Sequence, residues 1–172
     1  YDTLCNWAWR WNLDRVEDTN GNVISFYYQR ETNFYAAAGH TEPGPYRREY
    51  VRGGWLDRID YTRRAGQTGT APVRVQFTAQ ERCTPGSACA WPADYPDTPG
   101  DLACTSSGTC TEKTPTFWTR KLLDYVETQV WDTSASAWRN VARYDLDYSF
   151  PAPPADEQGN VGERKLWLSS IT

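Results

Sequence analysis

The sequence contains a single histidine and no long apolar run. His40 is the only histidine among 172 residues. It leaves no histidine-based metal cluster, and a serine triad would depend on that residue without a Gly-x-Ser-x-Gly elbow. No apolar run approaches the roughly 18 residues of a membrane-spanning helix. The formal net charge is −4, whereas general nucleic-acid-binding proteins are basic. We therefore expect no membrane span, no nucleic-acid partner and no cofactor.

Aromatic residues are the main compositional feature. The chain has 9 Trp, 11 Tyr and 5 Phe, and disordered chains are poor in such residues. A length of 172 residues is enough for one core. The sequence predicts one folded segment over residues 1–172, either a whole domain or a piece of a longer chain.

Four of the five cysteines predict disulfide bonds. Cys83, Cys89, Cys104 and Cys110 form two sequence pairs with five residues between partners, within a stretch too rich in proline and glycine for a regular element. Structural zinc sites favour shorter ligand spacings. Local pairing and nested pairing are both feasible. Disulfides in turn predict an oxidising, secreted or cell-surface location.

Cys5 is left over near the beginning of the sequence. We expect its partner to lie upstream of Tyr1, outside this segment. The sequence begins at Tyr1 without a signal peptide, so the chain is interpreted as a mature form or an excised piece.

Alternating apolar and polar residues predict β-hairpins and almost no helix. Asn20-Gly21 is typical of a tight hairpin turn. Trp7, Trp9, Trp11 and Leu13 have the period of a strand with one apolar face. The hairpins are predicted at about residues 7–30, 50–80 and 121–150, with half a hairpin at 165–172, a loop at 32–45, a Cys/Pro-rich insertion at 83–117 and a loop at 151–163. The last strand is predicted to lack a partner.

A short motif recurs at the hairpins. Leu13-Asp-Arg-Val16, Leu56-Asp-Arg-Ile59, Leu123-Asp-Tyr-Val126 and Leu168-Ser-Ser-Ile171 share the form Leu-x-x-Ile/Val. Residues three apart in a regular strand point to opposite faces, so this spacing implies either a bulge or two buried faces. We interpret the motif as a regular β-repeat whose middle interval contains the insertion.

The repeats resemble those of RHS/YD-repeat proteins. The stretch from Trp11 to Tyr28 is similar to the family's Trp-x-Leu-x-x-Ile-x-Asp-x-Asn-Gly-Asn opening before a Tyr-rich strand, and Tyr50 to Tyr61 is similar to a following unit. The stretches Glu81–Cys83, Pro115–Leu122 and Leu166–Thr172 resemble a secreted subgroup from high-GC Gram-positive bacteria. The units are degenerate and interrupted, and the family's self-cleavage motif is absent.

The resemblance implies an architecture and a function. RHS/YD-repeat proteins, which include teneurin-like and polymorphic-toxin shells, are large shells made of a ribbon of antiparallel hairpins, often enclosing a C-terminal toxic polypeptide. The expectation is an all-β segment of such a shell, with neighbouring repeats and an enclosed effector as partners. In that setting the aromatic residues Trp7, Trp9, Trp11, Trp55, Tyr144 and Tyr148 pack between ribbons.

A carbohydrate-binding β-module is the alternative. It requires two or three coplanar, exposed aromatic rings in a groove, and four tryptophans lie outside the clearest apolar faces: Trp91, Trp118, Trp131 and Trp167. An enzyme is not expected. The carboxylate pairs Glu17/Asp18, Asp57/Asp60 and Asp145/Asp147 lie beside arginines or within polar strand positions, which is typical of a solvated face.

Overall fold

The computed structural model describes residues 7–172 and contains one antiparallel sheet of seven strands in chain order. The all-β, antiparallel prediction is confirmed. Two single-turn 3₁₀ segments, Ala37–Gly39 and Gly100–Leu102, lie outside the sheet. The strands are β1 (Arg15–Glu17), β2 (Asn22–Ala36), β3 (Arg47–Arg64), β4 (Val73–Glu81), β5 (Lys121–Asp132), β6 (Ala137–Ser149) and β7 (Trp167–Ile171).

The prediction of an unpaired last strand is wrong. β7 pairs with the end of β6, with Leu146 opposite Ile171 and Ser149 opposite Trp167. β7 lies along the edge of β6 opposite to β5: Asp145 faces Tyr125 of β5 and exchanges both of its backbone hydrogen bonds with Thr172 on the other side. Within residues 7–172, the sheet has one open edge at β1 and another at β7.

The longest strand pairing was not predicted. β2 and β3 pair from Asn22–Arg64 as far as Ala36–Arg47, although residues 32–45 were expected to form a loop. Their far ends contain polar residues such as Glu31 and Asn33, which show no apolar alternation. Both are buried because distant parts of the chain supply hydrogen-bond partners: Leu102 and Cys104 of the insertion for Asn33, and Thr119 and Arg120, which follow the insertion, for Glu31. Partners so far away along the sequence leave no local pattern.

The predicted N-terminal strand is much shorter than expected. Only Arg15–Glu17 pairs with β2, and residues 7–14 form no strand. Their alternation lacks a sheet face to pack on: Trp7 is 86% exposed and Trp11 82%. Trp9 instead donates its indole N–H to the Val51 carbonyl, at 3.0 Å.

Bulges occur at the same position in three copies of the Leu-x-x-Ile/Val motif. Along β3, Tyr28 lies opposite Leu56 and Tyr27 opposite Arg58, so Asp57 is an extra residue. The same shift skips Asp124 in β5 and Ser169 in β7. Of the two alternatives for this spacing, the bulge is the one found. It brings the leucine and the isoleucine or valine onto one face.

As a result, the sheet has one apolar face and one polar face. The strand registers place the following residues on the first, which we call the apolar face: Val16, Ile24, Phe26, Tyr28, Leu56, Ile59, Tyr61, Val73, Val75, Phe77, Leu123, Val126, Val130, Tyr144, Leu146, Tyr148, Leu168 and Ile171. None of them is buried. The molecule is a single layer whose apolar side is not covered by the described chain.

The opposite side, the polar face, carries hydrogen bonds and cation–π contacts between side chains of the strands. The Arg74 guanidinium donates to Gln129 Oε1 at 2.6 Å, and the Gln129 amide donates to Glu127 at 3.0 Å. Glu127 and Gln129 are buried. Arg58 lies over the Tyr27 ring at 3.7 Å, and similar contacts follow along the face. Buried polar groups need such partners, and here neighbouring strands provide them.

The connection between β6 and β7 contains a turn that the sequence analysis assigned to loop. In the β1–β2 turn, Asn20 N–H and Asn22 N–H donate to Asp18 Oδ1, and Gly21 N–H donates to the Asp18 carbonyl. The β6–β7 connection has the same bonds: Gln158 N–H and Asn160 N–H donate to Asp156 Oδ1, and Gly159 N–H donates to the Asp156 carbonyl. In both turns, an Asn side chain lowers the pKa of the aspartate. The shared Asp-x-x-Gly-Asn spacing was readable from the sequence.

Candidate functional site

The insertion is closed by two local disulfides. Cys83 is bonded to Cys89 and Cys104 to Cys110, which selects the local pairing from the two alternatives. Cys5, predicted to pair outside this segment, lies outside the described residues. Each bond closes a short loop of the insertion, so neither joins the insertion to the sheet. Other contacts must do that.

Side chains of β2 and β3 hold the insertion by its backbone. The Arg47 guanidinium donates to the carbonyls of Thr105, Thr41 and Gly108 at 2.5, 2.7 and 3.0 Å. The Asn33 amide donates to the Leu102 carbonyl at 2.9 Å and accepts from Cys104 N–H. Polar residues that read as loop in the sequence therefore position the insertion over the far end of the β2–β3 hairpin.

A stack of rings and guanidinium groups fills the place where β3 and β4 separate, since those strands pair only from Arg58 to Tyr61 of β3. The Arg52 guanidinium lies 3.6 Å from the centre of the Trp118 ring. Trp118 stacks on Trp91 with centroids 5.8 Å apart and planes within 3°. The Arg120 guanidinium lies 4.3 Å from the centre of the Trp91 ring. Desolvated cation–π contacts of this kind stabilise by about 1–2 kcal/mol each.

Trp91 and Trp118 pack against each other and against arginines. Each of these half-buried indoles contacts the other indole and a guanidinium group, which reduces the aromatic surface open to a sugar ring. The structure brings these two predicted residues together in a packing role. Of the other two, Trp131 packs edge-on against Trp138 at 5.4 Å, and Trp167 is 64% exposed at the margin of the sheet.

Carboxylates beneath the stack are fully partnered. Buried Glu31 accepts from Arg52 Nη2 and Arg120 N–H, both at 2.9 Å, and from the Thr119 hydroxyl at 2.5 Å. Partial burial tends to raise the pKa of Glu81, but hydrogen bonds from Lys121 and Tyr95 outweigh it and lower that pKa. Both carboxylates therefore act as structural partners, and Glu81 is held in its charged form.

A second carboxylate ties three parts of the chain together. Asp97, in the insertion, accepts from Arg82 Nε at 2.9 Å and from Leu166 N–H at 3.1 Å. Its side chain is 2% exposed. Burial tends to raise the pKa of Asp97, but the hydrogen bond from Arg82 leads the effects that lower it below the ordinary value. The pair joins the end of β4, the insertion and the segment before β7.

A groove with a volume of about 910 Å³ lies between residues 7–12 and the far end of the β2–β3 hairpin. Trp7, Trp9, Tyr50 and Phe117 are among the residues that line it. Trp9 and Phe117 have ring centroids 4.2 Å apart, while Trp7 is 86% exposed. The strand-like alternation at Trp7 and Trp9 predicts a packing role for both residues.

The predicted packing role of the aromatic residues holds only in part within this chain. Trp7, Trp11 and Tyr144 are exposed, whereas Trp55 and Tyr148 are half-buried. His40 stacks on Tyr46 at 4.1 Å. Across residues 7–172, no group of three or more His, Cys, Asp or Glu side chains is arranged to hold a metal ion. In that same range, no helix has the length and apolarity needed to cross a membrane.

The apolar face is an extended apolar surface that residues 7–172 leave uncovered. The accessible surface is 11,408 Å², whereas a folded monomer of this mass exposes about 8,600 Å². Tyr144, Leu168 and Ile171 on that face are 52%, 48% and 59% exposed. Large exposed apolar patches mark interaction sites, so this face is the candidate interface.

Comparison with known proteins gives no identification: no family model, curated protein or solved structure matches the chain.

Proposed function

We propose that the chain is a structural segment of a secreted shell of the RHS/YD-repeat type, which encloses or presents a C-terminal effector polypeptide. The observation that carries this proposal is the single-layer sheet with an uncovered apolar face and open edges. A free globular domain buries such a face in a second layer. In a ribbon that continues into neighbouring repeats of the same polypeptide, those repeats can cover the apolar face.

The regular bulges support the proposal. They occur at the second position of the motif in β3, β5 and β7, so the sheet grows by a repeated unit. A sheet made of repeated units can be extended by adding further units, as in repeat proteins. This is expected of a long ribbon and not of a closed single domain. The two disulfides favour a secreted or cell-surface location.

The experiment is a structure of the native polypeptide that contains this chain, recovered with an antibody against its exposed insertion and imaged by electron cryo-microscopy. We expect strands to continue beyond β1 and β7 and the ribbon to enclose a cavity. The proposal would be contradicted if the native sample contained this chain as a free monomer of 19.7 kDa. It would also be contradicted if the protein had a hydrolase activity that substitution of a single carboxylate residue abolished.

Carbohydrate binding is the second candidate, and the 910 Å³ groove is the observation that favours it. Exposed Trp7 offers a stacking surface, and Arg10 and Arg30 line the same groove. The test is calorimetry against neutral and acidic oligosaccharides, with Trp7→Ala compared with Trp167→Ala. Loss of binding in the first variant alone supports the groove, and loss in the second alone supports the predicted site at Trp167. Absence of binding in the parent chain excludes this candidate for the sugars tested.

A further inference from the structure

The three bulged motifs share one way of pairing with the strand that precedes them in the sequence, which we call the received strand. In each case, the strand before the motif lies antiparallel to it and skips the second motif residue. Phe26, Phe77 and Leu146 lie opposite the motif's Ile or Val, while Tyr28, Ala79 and Tyr148 lie opposite its Leu. The received strand therefore carries Phe or Leu, then any residue, then Tyr or Ala, with both outer side chains on the apolar face.

The fourth motif has no received strand among residues 7–172. Leu13 precedes β1 and Val16 lies within it, and the only strand paired with β1 is β2. Leu13 is 54% exposed and Val16 41%, similar to Leu168 and Ile171 of the other edge strand, which are 48% and 59% exposed. The corresponding residues of the inner strands β3 and β5 are half-buried. The motif is present and its side chains are uncovered.

The backbone of β1 is also ready for a second partner. Asp14 carbonyl accepts from Phe26 N–H at 2.9 Å, and Asp18 N–H donates to the Asn22 carbonyl at 3.0 Å. Because antiparallel bonding alternates along a strand, the amides of Arg15 and Glu17 point away from β2 towards the open edge. Unpaired edge amides are the groups that strand addition uses.

We propose that the outer edge of β1 is the acceptor site for one antiparallel strand with the pattern Phe/Leu-x-Tyr/Ala, supplied by a neighbouring repeat. The proposal rests on the function proposed above. The strand's Phe or Leu lies opposite Val16 and its Tyr or Ala opposite Leu13. Asp14 becomes the bulged residue, as Asp57, Asp124 and Ser169 are elsewhere.

The experiment links a second copy of residues 137–150 to the N-terminus of the ¹⁵N-labelled, oxidised chain by a flexible Gly/Ser linker. Such a linker provides a millimolar effective concentration. Amide hydrogen exchange should slow at least tenfold at Arg15 and Glu17, and nuclear Overhauser contacts should join the linked Leu146 to Val16. The matched control replaces Leu146 and Tyr148 of the linked copy by serine.

Val16→Lys should abolish the slowed exchange, whereas Val161→Lys, at a loop residue that is 60% exposed, should preserve it. Unlinked chains measured by circular dichroism establish that both variants fold. Unchanged exchange at Arg15 and Glu17 would overturn the proposal. Attachment of the linked strand at β7, or displacement of β6 from its own place in the sheet, would also overturn it. So would slowed exchange in the unlinked chain that depends on protein concentration, because the occupant of the edge would then be a second copy of the chain.

The two proposals fail separately. If the linked strand does not bind but the native polypeptide is a shell, the ribbon continues without this edge and the shell proposal stands. If the linked strand binds but the native protein is a free monomer, β1 is a strand-acceptor site and the shell proposal is wrong.

Discussion

Buried charged residues connect the sheet to the insertion and to the segment that follows it. Glu31 and Arg52 are 6% and 7% exposed and bind each other at 2.9 Å. The side chain of Asp97 is also buried, with 2% of its surface exposed. A charge removed from water is tolerated only with close partners. Loss of one member leaves the other unpaired, so such residues have large effects on stability despite lying outside any apolar core.

Asp97→Asn should lower the free energy of unfolding by about 2 kcal/mol at neutral pH, because it leaves Arg82, about a quarter exposed, without its counter-charge. The pKa of Asp97 is lowered in the folded chain. Its contribution is therefore complete above the ordinary value of 3.8 and is lost as the pH falls from there through the depressed pKa.

Urea unfolding followed by tryptophan fluorescence, from pH 7 down to pH 3, measures this difference. The parent and the variant should converge in acid. Asp101→Asn, at an exposed position of the same insertion, is the matched control and should stay parallel to the parent. A constant difference at all pH values would show that the Asp97 carboxylate is not the titrating group.

At the level of strands, the sequence predicted what depends on local pattern. The alternation in Val73–Glu81 and the turn at Asn20-Gly21 are local features, and both strand and turn are present. The extension of β2 through Glu31 and Asn33 depends on partners in the insertion and in the segment just after it, which no local pattern records. The four tryptophans predicted to stack on sugars lie outside the apolar stripes of the sequence. Two of them, Trp91 and Trp118, pack against arginines instead, and the sequence pattern does not distinguish the two roles.

Deletion of Asp124 tests the bulge. In a regular strand, Leu123 and Val126 would then be two residues apart and remain on the apolar face. We expect this variant to fold, with loss of less than about 2 kcal/mol. Deletion of Gln76, in an unbulged stretch of β4, reverses every later side chain of that strand and should prevent cooperative unfolding. Equal damage from the two deletions, measured by urea titration, would contradict the interpretation of the motif.

The disulfide nearest the β2–β3 hairpin should stabilise the insertion locally. The Cys104→Ser/Cys110→Ser variant frees a loop with a sequence separation of 6, which costs about 2 kcal/mol in the loop-entropy account. Amide exchange should accelerate at Ala36 and Cys104, whose N–H groups bond to Glu112 and Asn33. The matched Cys83→Ser/Cys89→Ser variant should leave Ala36 unchanged, and acceleration at Ala36 in both variants would show that the two loops are coupled.

At the level of the whole molecule, the uncovered apolar face governs behaviour in solution. Tyr144 and Leu168 are exposed by 52% and 48%, so Tyr144→Thr/Leu168→Thr removes apolar surface already in contact with water. We expect weaker binding of a hydrophobic dye and less self-association in sedimentation velocity, with unfolding free energy within about 1 kcal/mol of the parent because threonine suits strands. Val161→Thr, also exposed but in a loop, should change neither measurement. If the double variant destabilises the monomer as strongly as a core substitution, the face already packs against something within the chain and needs no partner.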